Sequence, residues 1–415
     1  MRVWSLLLGV ALWTLAILPA SAENWPEFRG PTGQGIYAGK NLPLEWSTTE
    51  NVAWKQTIPG KGWSSPIVWN GRIYLTSAVP VAGTKDLSLR AFCLNAADGK
   101  PIWDTEVFVE EGAKAPSIHG KNSHASPTPL TDGQRIYVHF GEEGTAALDL
   151  NGTVLWRNQE HRYAPVHGNG GSPILVGKLL IFAADGSDTQ AVIALNQADG
   201  KTVWQTDRQS VAAKKFSFGT PLAIEVAGQT QVVSPASDAV MAYDPTSGKE
   251  LWRVKYDGYS LIPRPVFGDG LVFLSTGYNT PSAMAIRTDG HGDVTATHVA
   301  WTVKKGAPHT PSMLLVGDAL YMVSDAGIAS CLDAKSGQEH WRERVPGNYS
   351  ASPFAAEGRI YFHNEDGLTT VVRAAPKFEV LASNDLKERM LASAAIADGA
   401  IYLRTESQLY RLQRK

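Results

Sequence analysis

Cysteine is scarce in this chain: Cys93 and Cys331 are the only two in 415 residues, which leaves no disulfide framework and no clustered-thiol metal motif. Charge of one sign is lacking too, since 38 Lys and Arg stand against 40 Asp and Glu for a formal net charge of −2. Without a positive field to hold a phosphate backbone or an anionic bilayer, nucleic acid is not an expected partner. No apolar run after Ala20 is long enough to span a membrane. A P-loop, a zinc-protease helix, a GxGxxG loop after a strand and a Ser-His-Asp order are all absent.

The N-terminus carries Arg2, an apolar run from Leu6 to Ala20, and the small residues Ala20-Ser21-Ala22. That pattern predicts a signal peptide over residues 1–22, with cleavage before Glu23 and an exported, soluble, periplasmic or secreted product. The alternative is an uncleaved anchor, but the run is shorter than the roughly 20 residues of a spanning helix. No Cys follows the run to take a lipid, so stable membrane insertion after cleavage is not expected.

What the chain does have is 39 Gly, 24 Pro and 13 Trp spread along its length, the composition of many short strands joined by turns. Strands ending in Trp recur at Trp54, Trp103, Trp156, Trp204, Trp252, Trp301 and Trp341, at intervals of 40 to 53 residues, and Phe378 stands for an eighth. Such a period means a propeller or an array. Between them lies a second landmark, a small residue or Arg before Pro: Ser65-Pro66, Ser126-Pro127, Ser172-Pro173, Thr220-Pro221, Arg264-Pro265, Thr310-Pro311 and Ser352-Pro353, with Ser393-Ala394 as a degenerate eighth. Turns such as Asn70-Gly71, Asp269-Gly270, Glu357-Gly358 and Asp398-Gly399 separate the landmark strand from a β-branched and aromatic one.

Each unit thus reads as four strands, and eight units close a ring whose sheet edges are protected. The chain starts with a lone Trp54 strand and stops after three strands near Leu412. The expected fold is all-β, a single eight-bladed β-propeller over residues 51–415, closed by the N-terminal strand pairing with the C-terminal three, with residues 23–50 as an extension. The repeated Trp are expected to pack between blades. Cys93 and Cys331 align with Ala194 and Ala242 on third strands, in blades read as the first and seventh, and are expected to be reduced.

Asp244-Pro245-Thr246-Ser247-Gly248-Lys249-Glu250-Leu251-Trp252 and Asp333-Ala334-Lys335-Ser336-Gly337-Gln338-Glu339-His340-Trp341 resemble the repeat of the PQQ-binding-like, or quinoprotein-like, β-propellers. The opening Trp25-Pro26-Glu27-Phe28-Arg29-Gly30-Pro31 is similar to that of exported members. The resemblance implies one of two branches: dehydrogenases that bind pyrroloquinoline quinone (PQQ) and calcium, or BamB-like scaffolds of outer-membrane assembly. Fold does not choose between them. The larger quinoprotein alcohol dehydrogenases carry an adjacent Cys pair, whereas Cys93 and Cys331 are isolated.

Long polar connections lead into the landmark strands and join second strands to third, and should share one face around the channel mouth, where binding residues ride on a rigid scaffold. That face collects His119, His124, His167, Lys214, Phe216, Tyr259 and His309. The site expected from position is Trp63, His124, His167, Asn169, Arg264 and His309, around one pocket for a polar or anionic ligand. The four His either converge on a metal or bond their own loops. Arg264 replaces the small residue of the other blades; it either clamps an anion, so that its loss weakens binding and spares the melting temperature, or pairs with a channel Asp such as Asp238. The reading that follows is a non-catalytic extracytoplasmic scaffold binding a protein segment or small ligand, with no assigned catalytic residue, metal or cofactor. A PQQ-dependent or metal-dependent enzyme and a BamB-like assembly factor are the alternatives.

Overall fold

The computed structural model describes residues 23–415, so the expected signal peptide lies outside the described residues. Eight blades follow one another around the ring, each with four antiparallel strands. The first blade runs Ile67–Trp69, Arg72–Pro80, Leu87–Asn95 and Pro101–Glu110, from the channel outward. The eighth is composite: Ala395–Ala397, Ala400–Arg404 and Gln408–Gln413 are completed by Val52–Thr57, which pairs antiparallel with the last strand through Trp54↔Arg411 and Thr57↔Gln408. This is the closure that the unmatched end strands require.

Local chemistry explains the blades. In four of the hairpins at the channel, Asn70-Gly71, Asp269-Gly270, Glu357-Gly358 and Asp398-Gly399, both central residues have φ between 47° and 74°. Two positive φ values make the tight turn whose twist matches the strands. Farther out, the indole Nε1 of Trp54, Trp103, Trp156, Trp204, Trp301 and Trp341 each donates at 2.8–3.1 Å to a carbonyl in the third-to-fourth turn of the next blade. The turn glycine lies flat on the ring; at Gly200, with φ +71°, a Cβ would stand 2.4 Å from the Trp156 ring. The Trp repeat is therefore a row of stitches between blades.

Two stitches differ. The turn that should receive Trp252 is replaced in blade 5 by an insertion whose Gly292–Asp293 pairs in parallel beside the Trp252 strand, followed by the short helix Thr295–His298. Trp252 is fully buried there and donates to Gln231 Oε1 instead. In blade 7 the register places Ala382, not Phe378, opposite Val371 at the position where other blades carry Trp. Phe378 lies before that strand, its ring 5.0 Å from that of Trp341. The near-match of an aromatic in sequence hid a four-residue offset.

Two landmarks also shift. The residues that enter the first strands of blades 2 and 6 are Thr128-Pro129 and Ser312-Met313, directly before Leu130–Thr131 and Leu314–Val316, rather than Ser126-Pro127 and Thr310-Pro311. In blade 2 a second Pro stands two residues on, and in blade 6 the entry position carries Met313 instead of Pro, so Thr310-Pro311 imitates the landmark two residues early.

Cys93 and Cys331 are free and buried, each opposite a Trp, at Trp103 and Trp341, as Ala194 and Ala242 are opposite Trp204 and Trp252. Cys331 belongs to the sixth blade and not the seventh, so two blades stand between the thiols. Burial pushes the thiols up to about 12 and about 11, which keeps them protonated and unreactive.

His139 and His363 occupy equivalent ends of second strands in blades 2 and 7, each bonding a Thr hydroxyl of the third strand at 2.8 Å. Burial lowers both imidazoles from 6.5 to about 3, so they stay neutral in the fold. In the unfolded chain they protonate near 6.5, so the stability they allow is complete above that pH and lost as pH falls toward 3. Each adds a slope of about 1.4 kcal/mol per pH unit in that window. Urea titrations at pH 7, 6 and 5 should show that slope reduced by about 1.4 kcal/mol per unit in His363→Gln; an unchanged slope would mean the imidazole is reached by solvent.

Candidate functional site

The extension is part of the ring. Trp25 bridges to Val68 in the first strand of blade 1, Thr131 N of blade 2 donates to Pro26 O, and Ile36–Tyr37 pairs in parallel with Phe354–Ala356 of blade 7. Asn24 accepts from Asn70 N and Glu23 N donates to Asp398, both in channel hairpins. Residues 23–37 therefore cross the channel at its hairpin end. They close it there and leave a cup at the long-loop end.

The cup has a volume of about 690 Å³, with Phe28 of the strap on its floor. Such a volume lies within the range of small-molecule sites. Its wall is a continuous arc of rings from successive blades: His119, His167, Phe216, Tyr259, Tyr278 and His309 follow one another at centroid distances of 5.5–5.9 Å. The backbone fixes the first pair, because His167 has φ +70° and its carbonyl accepts from His119 N at 3.1 Å and Asn122 Nδ2 at 2.8 Å. Lys214 lies over the Tyr259 ring at 4.5 Å and donates to its hydroxyl. Across the mouth, Arg389 lies 5.6 Å over Trp63, and Lys121 pairs with Glu365 at 2.6 Å.

Below the arc runs a belt of hydroxyls. Ser65 N donates to Thr128 Oγ1, Thr128 N to Ser172 Oγ, Ser172 N to Thr220 Oγ1, Arg264 N to Ser312 Oγ, Ser312 N to Ser352 Oγ, and Ser352 N to Ser393 Oγ, all at 2.9–3.0 Å. The landmark residue thus has a reason: it hands a hydrogen bond around the axis from blade to blade. Arg264 breaks the belt because it has no hydroxyl for Thr220.

Of the six residues expected at the pocket, Trp63, His167 and His309 line the cup. His124, Asn169 and Arg264 stand behind it. His124 Nδ1 lies 2.6 Å from the buried Glu110, outside the channel. Asn169 is buried, accepts from Tyr163 OH at 2.7 Å and packs on Gly141. Arg264 is 2 % exposed and faces the strap: Nη1 donates to Phe28 O at 2.6 Å, Nε to Pro221 O at 3.0 Å, and Nη2 meets Glu27 at 3.2 Å. Its acidic partner is Glu27 rather than Asp238, which bonds Ser210 and Val211. The four imidazoles do not converge; His119 and His167 touch, His309 ends the arc, and His124 is elsewhere. Asp185, at the end of the strand Leu179–Asp185, is a buried partner of Arg208 at 2.8 Å.

Residues 79–192, 188–292 and 291–413 match the model of one family, described as outer membrane protein assembly factor BamB. The chain belongs to the BamB family. A comparison with curated proteins gives no match. Among solved structures, BamB from Moraxella catarrhalis is similar at TM-score 0.63 and 13% identity over 88% of this chain and 97% of that one. A europium-containing methanol dehydrogenase gives 0.67 and 10% over 94% and 98%. A computationally designed protein, Ika8, gives 0.61 and 9% over 92% and 99%. At such identities, structural likeness extends to the fold alone, and an assembly factor, an enzyme and a design share it.

Tyr278, a member of the arc, was not singled out by sequence, because it lies between the second and third strands of blade 5 and not before a landmark. The strap was invisible for a different reason. Its partners are scattered from Val68 to Asp398, and its only signal was the composition of Trp25 to Pro31.

Proposed function

We propose that this BamB-family propeller is an exported, non-catalytic recognition module that holds a small polar ligand, or the end of a protein segment, in the cup. The aromatic arc carries the reading: six rings from five successive blades face one blind cavity, a surface for a ligand with a flat or apolar body. The polar groups of the wall support a binding role. None of its serines bonds an imidazole, and Asp325, its one carboxylate, spends both oxygens on His309 N, Thr310 N and Thr310 Oγ1. Calcium takes six to eight oxygen ligands, several of them carboxylates. The cup's residues therefore do not fit a calcium-bound quinone, and no redox step is derived from them.

Membership of the BamB family supports a protein partner as a second reading. Ile102, Leu155 and Val203, each just before the Trp of its outer strand in three neighbouring blades, are 45–49 % exposed. Among the described residues no helix is long and apolar enough to cross a membrane.

A thermal-shift screen of small aromatic and heterocyclic acids, alcohols and amides tests the cup. Ligands should raise the wild-type melting temperature, the double variant Phe216→Ala/Tyr259→Ala should lose the shift, and added PQQ with calcium should give no dye-linked alcohol oxidation. Hits that stabilise both proteins equally, or oxidation that depends on the quinone, would overturn the reading. Co-purification with outer-membrane proteins that survives the double variant would support the second reading in its place.

A further inference from the structure

We infer that the floor of the cup is an oxyanion site, which takes a carboxylate or phosphate group of the ligand; this rests on the cup being the ligand site. The first observation is the hydroxyl belt. Thr128, Ser172, Thr220, Ser312, Ser352 and Ser393 all line the cup, and each hydroxyl oxygen already accepts a backbone N–H from the blade before it. A hydroxyl that accepts one bond still has its hydrogen to give. None of the six donates to an acceptor among the described residues. The floor is therefore a circle of hydrogen-bond donors around one axis.

The second observation is charge under that circle. Arg29, Arg264 and Arg404 are each 2 % exposed, and among the described residues Glu27 is the one carboxylate that meets any of them. Arg264 belongs to the belt by position and holds the carbonyl of Phe28, the floor residue. Arg29 follows Phe28 in the chain; its Nη2 donates to Gln34 O, while its Nε and Nη1 are buried with no partner. It lies close under the belt, since a Cβ on Gly35 would stand 2.8 Å from Arg29 Nη2 and 3.1 Å from the oxygen of Pro353, next to Ser352. Arg404 donates through Nη1 to Ser64 O, Ser64 Oγ and Thr76 O, beside Ser65.

Three guanidinium groups against one carboxylate leave uncompensated positive charge buried in the protein, where it is poorly screened. Burial and the nearness of Arg264 lower the Arg29 guanidinium to about 9, which still leaves it charged at neutral pH. Asp325, the one acidic side chain of the cup, is already saturated by its own loop and offers no acceptor to compete with an incoming anion. Donors without acceptors, above buried cations that outnumber their one anion, select oxygen-rich negative groups. The aromatic arc then takes the ring or apolar body attached to that group.

Calorimetry with four probes tests the site: inorganic phosphate, phenyl phosphate, benzoate and benzyl alcohol. Phenyl phosphate or benzoate should bind at least tenfold more tightly than the neutral alcohol, and the tighter of the two identifies the oxyanion. Arg29→Met should lower oxyanion affinity about tenfold, leave benzyl alcohol unchanged and not lower the melting temperature, because the buried charge it removes meets no carboxylate and its one hydrogen bond is to Gln34 O. Thr220→Val, which removes one floor donor, serves if that variant fails to fold. Equal affinity for alcohol and oxyanions, or full oxyanion affinity in both variants, would overturn the floor assignment while leaving the cup as a neutral-ligand site. Binding of none of the four would remove both readings.

Discussion

Arg264→Ala is expected to destabilise the protein by about 3–5 kcal/mol, the cost of breaking a buried ion pair by removing one partner. The arginine is 2 % exposed and Glu27 18 % exposed, so little water is at hand to replace the lost contact. The loss also strips the carbonyls of Phe28 and Pro221 of a donor, and it frees the strap where the strap closes the channel. The defect should depend on pH. Burial already raises the Glu27 carboxyl, with Arg264 opposing that rise, so the variant's Glu27 rises further above its unfolded value of 4.5. A raised acid contributes stability at low pH and loses it as pH climbs through the folded value. Denaturant unfolding should therefore show a smaller gap between variant and wild type at pH 5 than at pH 7.5. A melting temperature that is unchanged by the substitution would return Arg264 to the role of an exposed anion clamp and contradict its packing against the strap.

The fold was legible because a repeat states its own period. The Trp residues, the landmark before each first strand, and the lone strand at one end with three at the other specify eight blades and their seam without any knowledge of long-range contacts. The site was legible in part. Position within the repeat places Trp63, His167 and His309 at one mouth, but it says nothing of which way a side chain turns from a loop. His124 turns outward to Glu110, and Arg264 turns down to the strap. Residues 23–50 carry no repeat, so neither their path across the channel nor their contacts with blades 1, 2, 5, 7 and 8 follow from periodicity. The strap forms one side of the cup, and sequence reasoning that omits it predicts an open channel.

Trp46→Ala should cost about 3–5 kcal/mol, as for other buried Trp truncations, although Trp46 belongs to no repeat. In five blades a Trp of the fourth strand lies 5.9–6.2 Å from an aromatic of the second: Trp103 on Tyr74, Trp156 on Tyr137, Trp301 on Phe273, Trp341 on Tyr321 and Trp54 on Tyr402. Blade 7 keeps the aromatic, Tyr361, but has Ala382 where the Trp should be. Trp46 supplies the missing ring from the extension: it stacks on Tyr361 at 6.3 Å, is 3 % exposed, and its backbone N–H bonds Asn384 Oδ1 in the same outer strand. Asn384 Nδ2 in turn donates to Leu44 O, so one side chain clamps the extension on both sides of the vacancy. A double-mutant cycle separates vacancy-filling from ordinary burial. Ala382→Trp alone should overpack the site and cost about 1–3 kcal/mol. In the Trp46→Ala background the same substitution should instead restore stability, because it returns to blade 7 the stitch that its neighbours carry. Two losses that simply add would show that Trp46 and the repeat position occupy different space.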